Sequence, residues 1–261
     1  MNCLIETALL THGLRSIANE ELAQSWHCPD AILAWVDRGE LKLGPIGEYL
    51  PFRERSEELI RIDCDHLEET LQTGASGALT ASGTMAVCRR LDIPMAITCG
   101  MGGIGDLRGE ELCPDLPALM NIPVALISTS PKDMLDRPAT LDWLRRHGVH
   151  TAGEPCTGYL FCGKPVALEL PLFSCNNETA VRRLTANGGL LLLNPIPEKE
   201  RVQDRSILVD AIKAGKQAEA EGHYYHPAAN GEIDRRTDGY SSRIQLESIQ
   251  QNYLLAKSIM D

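Results

Sequence analysis

The sequence is poor in aromatic residues, which make up 5% of the chain, so any core it forms is built mainly from aliphatic side chains. It has no uninterrupted apolar run of the roughly 18 residues that a membrane span requires, and no membrane partner is expected. The start, MNCLIETALLTHG, breaks its apolar stretch with Glu6 and lacks a basic lead, so it does not read as a secretory signal. No CxxC pair occurs among the nine cysteines, Cys3, Cys28, Cys64, Cys88, Cys99, Cys113, Cys156, Cys162 and Cys175. An odd, dispersed set of this kind points to reduced thiols and a cytoplasmic setting rather than to a zinc site or a disulfide framework. Positive charge is not in excess: 25 Lys and Arg stand against 36 Asp and Glu, a net −11. Such a chain repels phosphate backbones, which argues against a nucleic-acid partner. A Walker A loop and a Ser/His/Asp nucleophile arrangement are also lacking.

What is present is a chain of 261 residues with 43% hydrophobic and 23% charged residues, an ordinary globular balance. Its length suits one compact domain over residues 1–261. Short apolar runs alternate with helical patterns. Strands are expected at Cys3–Leu10, Ala31–Val36, Arg61–Cys64, Met95–Cys99, Val124–Thr129, Val166–Leu170 and Gly189–Leu193. Helices are expected at Ser16–Trp26, Ser82–Leu91, Pro138–His147, Asn177–Ala186, Arg201–Glu221 and Arg243–Met260. Gly44–Arg55 and Glu154–Pro165, rich in Gly and Pro, read as loops. The alternation predicts an α/β fold, with helices on the faces of the sheet. Four leucines at Leu190–Leu193 fit a central strand buried on both sides.

Several residues stand out chemically. Glu6 lies in an apolar strand pattern. A buried carboxyl there has a raised pKa and suits general acid–base work, whereas a strand-edge Glu would face water. Gly100, Gly102 and Gly105 in CGMGGIG formally match GxGxxG after a strand. The helix and ribose acid of a dinucleotide fold do not follow, so a phosphate- or metal-adjacent loop and a plain turn stay open. Lys132 in STSPKD follows a central strand. Desolvated, it would form a Schiff base; solvated, it is a loop lysine. Asp115 in CPDLPAL is a helix cap or an oxygen ligand for a hard cation. Thr80, Ser82 and Thr84 open a helix with clustered hydroxyls suited to phosphate. Asn194-Pro195-Ile196-Pro197 closes a central strand, either aiming a side chain or only ending the strand. His223 and His226 form HxxH without an evident third ligand.

Six motifs in order give the chain a wider resemblance. ETALLTHG (Glu6–Gly13), SGALTASGTM, CGMGGIGDLRG, CPDLPAL followed by TSPKDMLD, GGLLLLNPIPE and TDGYSSRIQLESIQQN resemble the motifs of the pseudouridine-5′-phosphate glycosidase family, also called indigoidine synthase A-like. NPIPE and the Asp115-to-Lys132 spacing are the most specific, and the resemblance runs over nearly the whole chain. It implies a three-layer α/β/α fold with a mixed, largely parallel sheet, a homotrimer, and cleavage of the C–C glycosidic bond of pseudouridine 5′-phosphate. It also implies roles: Lys132 attacks C1′ of the ring-opened ribose, Glu6 is the acid–base, and Asp115 binds Mn2+ through waters. Arg61, matching a family lysine, holds the phosphate with Thr80, Ser82, Thr84, Gly102 and Gly103, and Asn194 and Gln245 complete the substrate site. A C–C bond offers no heteroatom leaving group, so an imine at C1′ supplies the electron sink. The base side departs from the pattern. A family histidine becomes Leu107 or Arg108, an Asn becomes Gln245, and the segment around Gly158-Tyr159-Leu160-Phe161 is only loosely kept. A related C-nucleotide is therefore an expected substrate, with C-glycosynthesis or an inactive sugar-phosphate-binding paralogue as the rival readings.

Overall fold

The structure is a computed structural model and describes residues 2–105, 113–186, 188–223 and 225–260. Its strands are β1 (Cys3–Ile5), β2 (Leu33–Asp37), β3 (Glu40–Gly44), β4 (Ile60–Ile62), β5 (Gly77–Leu79), β6 (Met95–Ile97), β7 (Gly100–Met101), β8 (Ala125–Ser128), β9 (Ser130–Pro131), β10 (His150–Gly153) and β11 (Leu190–Leu193). Its helices are α1 (Asn19–Ser25), α2 (Ile46–Arg53), α3 (Leu67–Thr73), α4 (Ala81–Arg90), α5 (Asp115–Asn121), α6 (Arg137–Arg146), α7 (Glu178–Thr185), α8 (Ser206–Ala220), α9 (Tyr225–Arg236) and α10 (Tyr240–Met260).

The main sheet runs β10-β11-β8-β6-β1-β2-β5-β4, with β3 added to β2. From β10 to β2 every neighbour is parallel, and β2 then pairs antiparallel with both β3 and β5. Alternation along the strands divides the core into two. Ile5, Leu33, Ile97, Ile127, Leu190 and Leu192 point to one face. Leu4, Ala34, Ala96, Leu126, Leu191 and Leu193 point to the other. All four leucines of β11 are buried, each stabilising the fold by roughly 1.5–3 kcal/mol relative to exposure. Helix α10 packs on β1, β6 and β8, and α4 covers the opposite face. The result is the expected α/β/α arrangement with a mixed, largely parallel sheet.

Several boundaries depart from the expectations, each for a physical reason. The first strand stops at Ile5. Glu6 N–H donates to Ile97 O, but Thr7 N–H turns to Leu79 O on β5, and the chain enters a π-helical turn at Leu9–Gly13. Thr7 Oγ1 donates to Ala34 O (2.8 Å) and accepts from Leu79 N–H (3.0 Å), stapling three strands together. The supposed loop Gly44–Arg55 contains α2. Tyr49 and Phe52 there pack with Trp35 at ring separations of 5.6–6.0 Å, burial that outweighs the helix-breaking Pro51. Arg53 is buried and donates to the carbonyls of Leu10, Leu14 and Ile17 at 2.6–2.8 Å, clamping the π-helical turn. Strand β3 arises from a two-residue turn in which Arg38 and Gly39 both take positive φ (52° and 74°). Val166–Leu170, bracketed by Pro165 and Pro171, makes only single bridges to Cys156 and Ala152 and is not a strand.

Candidate active site

The strand ends place the chemistry. In a parallel sheet, ligands gather at the carboxyl ends. Here β6 and β8 are prolonged past the main sheet by the short parallel pair β7–β9, with Lys132 N–H donating to Met101 O (3.1 Å) directly after β9. Glu6 follows β1, the strand next to β6. Arg61 comes from β4, and Asp115 opens α5. A cavity of about 520 Å3 is lined by Arg61, Thr80, Ser82, Gly102, Asp115 and Lys132, among others. It continues into a recess of about 40 Å3 that adds Glu6, Gly100 and Tyr159 and shares Arg61, Thr80, Asp115 and Lys132. The outer cavity falls in the range of sites that hold nucleotide-sized ligands.

Glu6 is buried, and desolvation pushes its carboxyl up to about 7, against the opposing pull of a hydrogen bond from Thr98 Oγ1 (2.8 Å). Burial also lowers the Lys132 ammonium below the ordinary lysine value, and the Arg61 guanidinium adds to the effect. The pair is thereby drawn together in proton affinity: a carboxyl able to hold a proton near neutrality faces a cleft with a lysine readier to be neutral. Gly100 makes room for both walls. A Cβ there would lie 2.6 Å from the Tyr159 ring and 3.1 Å from Lys132 Cγ.

Asp115 serves first as a fastener. Its Oδ1 accepts from Ser82 N–H (3.1 Å) and its Oδ2 from Gly102 N–H (2.8 Å), joining the start of α4 to the Gly-rich loop. Gly102 has no room for a side chain, because a Cβ would overlap Cys113 Sγ. The carboxylate is thus the anion at the α4 N-terminus. Thr80 Oγ1 takes the next amide, Gly83 N–H (3.3 Å), as the helix cap. The Ser82 and Gly83 amides are thus already partnered within the protein. Thr80 and Ser82 line the cavity, but Thr84 is buried with its hydroxyl donating to Thr80 O (2.8 Å). Gly103 abuts Thr140 and does not line the cleft.

Two further expected residues lie elsewhere. Gln245 is buried beneath the site, accepting from the Tyr159 hydroxyl (2.8 Å) and donating to Ser241 O (3.1 Å), so it supports the Tyr159 ring rather than touching the cleft. Asn194 donates to Asn252 Oδ1 (3.0 Å) and borders a separate pocket of about 410 Å3. Asn252 in turn donates to Thr98 O (2.8 Å), so the turn after β11 braces the loop after β6. Both positions act through α10. Leu107 and Arg108 lie outside the described residues. Of the HxxH pair, His223 borders a neighbouring pocket and His226 lines the cleft.

The sequence did not single out Asp133 or Asn230. Asp133, adjacent to Lys132, accepts the amides of Tyr159, Leu160 and Phe161 (2.6–3.0 Å) and the Arg137 guanidinium (3.0 Å), fixing the segment that carries the Tyr159 ring. Its position in the SPKD motif was the available signal. Asn230 sits one helical turn after His226 and had no signal beyond that i, i+4 spacing.

Among the described residues no three His, Cys, Asp or Glu side chains converge as a metal cage. Asp115 retains lone pairs beyond its two amide bonds, which fits a divalent ion that draws its remaining ligands from water.

A parallel sheet with a buried acid, a desolvated lysine and a guanidinium at its strand ends is an enzyme site for a small polar molecule. The chain belongs to the family described as indigoidine synthase A like protein, whose profile matches residues 4–260. Relatives named pseudouridine-5′-phosphate glycosidase include one from Petrotoga mobilis, 26% identical over 98% of this chain and 89% of its own length, and one from Methylobacterium nodulans, 27% identical over 98% and 81%. Among solved structures, the prealnumycin C-glycosynthase AlnA in complex with ribulose 5-phosphate (21% identity) and an indigoidine synthase A-like protein from Thermotoga maritima (20%) share the fold. Each has a TM-score of 0.77, with 98% of this chain and 91% of the other covered.

Proposed function

We propose that this protein cleaves the C–C glycosidic bond of pseudouridine 5′-phosphate or a closely related C-nucleotide, through an imine between Lys132 and C1′. The observation that carries this reading is the meeting of the buried Glu6 with Lys132 in one recess, where burial pushes the carboxyl up toward neutrality and the lysine down. Glu6 gives its proton to the ring oxygen as the C1′–O4′ bond opens. Neutral Lys132 Nζ bonds to C1′ and loses a proton. The C1′–C bond then breaks: its electron pair returns to the base, which takes up a proton at that carbon, while the nitrogen lone pair forms the C=N bond. Water hydrolyses the imine to ribose 5-phosphate and free lysine, so the sum is substrate plus water to base plus ribose 5-phosphate.

Arg61, lining both parts of the cleft, offers a forked guanidinium to the 5′-phosphate, with the Thr80 and Ser82 hydroxyls beside it. Asp115 would hold a hydrated Mn2+ through its waters; when bound, such an ion supplies positive charge to the substrate's anionic groups. Assembly as a homotrimer, which the resemblance implies, is proposed for this chain too, and light scattering tests it.

The test is borohydride reduction in the presence of ribose 5-phosphate, followed by peptide mass mapping, together with release of uracil from pseudouridine 5′-phosphate. A reduced pentose phosphate on Lys132 supports the reading; an unmodified Lys132 overturns it and favours an inactive binding protein. Comparison of cleavage with synthesis rates over a panel of C-nucleotides identifies the base and the favoured direction.

A further inference from the structure

Six buried side-chain polar atoms among the described residues have no protein hydrogen-bond partner, and three of them, His12 Nε2, His226 Nδ1 and Asn230 Oδ1, belong to residues that border the same recess. His12 and Asn230 are only 8% and 7% exposed. Native folds pair nearly all buried polar groups, so three unpaired atoms around the space that also holds Lys132 and Glu6 point to a ligand that completes them. His226 and Asn230 stand at i and i+4 of α9 and share one helical face, with Pro227 of the same helix also bordering the recess.

The chemistry of the three groups is alike. Each is neutral and forms hydrogen bonds without carrying charge. Burial and the nearby Lys132 and Arg61 charges hold the His226 imidazole well below its ordinary value, and burial with Arg61 and Arg15 brings His12 down to about 4, against the opposing pull of a hydrogen bond from its ring to the Ile60 backbone. Neutral imidazoles and a carboxamide match hydroxyl groups, which both donate and accept; a carboxamide oxygen gives nothing to a phosphate dianion. The bond from Lys132 to the sugar fixes C1 in this recess, and the polar atoms nearest C1 on a pentose are the hydroxyls at C2 and C3.

We propose that His226 and Asn230, with His12, form the hydroxyl-recognition wall of the cleft and select the C2 and C3 hydroxyls of the sugar that Lys132 attacks. The proposal rests on the imine reading above and adds its sugar specificity. The pair would discriminate by leaving its own buried groups unpaired when a hydroxyl is missing or inverted.

The test measures borohydride trapping as a function of concentration for the 5-phosphates of ribose, 2-deoxyribose, arabinose and xylose. It uses the full chain and the variants His226→Leu and Asn230→Leu, which keep bulk while removing polarity. Wild type should favour ribose 5-phosphate over at least one analogue by about tenfold or more, the scale expected when a buried polar group loses its partner. Each variant should shrink that preference about fivefold or more, with the loss falling mainly on ribose 5-phosphate. Removal of an unpaired polar atom should also leave the free variants' Tm unchanged or raised, by about 2–4 °C for each kcal/mol gained. Variants that keep the wild-type preference, or that lose all four sugars equally, overturn the proposal. If wild type traps no pentose phosphate, the imine reading itself fails, and the sugar assignment falls with it.

Discussion

The two walls of the cleft are built on opposite terms. On the sheet side the carboxyl groups and the lysine backbone are tied down. Asp115 takes two backbone amides, Asp133 takes three, Glu6 accepts from Thr98, and the Lys132 backbone extends the β7–β9 pair. On the helical side His226 and Asn230 project from α9 with polar atoms unpaired. Groups that must meet a reacting atom at one geometry gain from rigid backing. Groups that recognise a ligand gain from hydrogen bonds kept in reserve for it.

The largest effect should fall on the sheet side at the reacting atom. Lys132→Ala should remove the borohydride-trapped adduct and lower cleavage by roughly three orders of magnitude or more, because the covalent route is lost. A persistent adduct of the same mass would move the nucleophile elsewhere.

Next is Glu6. Glu6→Gln should lower turnover by about 10²–10⁴-fold through loss of the proton donor, while stabilising the fold at alkaline pH. The carboxyl has a folded value of about 7 against 4.5 for the free group, so the native state binds the extra proton. Its contribution is therefore fully present below pH 4.5 and is lost as pH rises through 7, up to about 3 kcal/mol. Thermal melts should show the variant matching wild type near pH 5 and exceeding it at pH 8. Equal pH dependence in both proteins would place the titration on another group.

Arg61→Ala should raise the KM for the phosphorylated substrate about 10–100-fold, the loss expected for a bidentate charge-assisted contact, with a far smaller effect on the free nucleoside. Equal losses for the two would detach Arg61 from the phosphate.

Asp115→Asn separates fastening from metal binding. An amide oxygen cannot replace both carboxylate oxygens, so a stability loss of about 1–3 kcal/mol is expected in denaturant unfolding, whether or not metal is present. Full activity after exhaustive chelation of the wild type would remove the metal role and leave the fastening one.

Legibility divided along the same line as the two walls. Glu6, Asp115 and Lys132 each stand in a compact motif beside an apolar run, so they stood out as candidates, and the family resemblance of those motifs supplied their roles. Helix α9 has no such run: HPAANGEIDRR is polar, and its value comes from facing a recess made largely by residues more than 60 positions away in sequence. Gln245 and Asn194 sat in recognisable motifs, yet the motif did not say which way the side chain points. Both turned out to brace the site through Tyr159 and Asn252. Helix α2 escaped notice because glycine and proline signal a loop locally, while the contacts of Tyr49 and Phe52 with Trp35 are tertiary.

By itself the sequence determined the α/β alternation, the buried central strand at Leu190–Leu193, the family, and the three residues on which the proposed chemistry rests. The first two follow from local periodicity, the last two from motifs that resemble those of a known family. Only the tertiary structure decided what each group experiences. Thr98 reaches Glu6 across 92 residues, and Ser82 reaches Asp115 across 33. Burial, which sets the Glu6 and Lys132 proton affinities, is a property of the assembled cleft, since desolvation depends on what surrounds a charge in space and not on its neighbours along the chain.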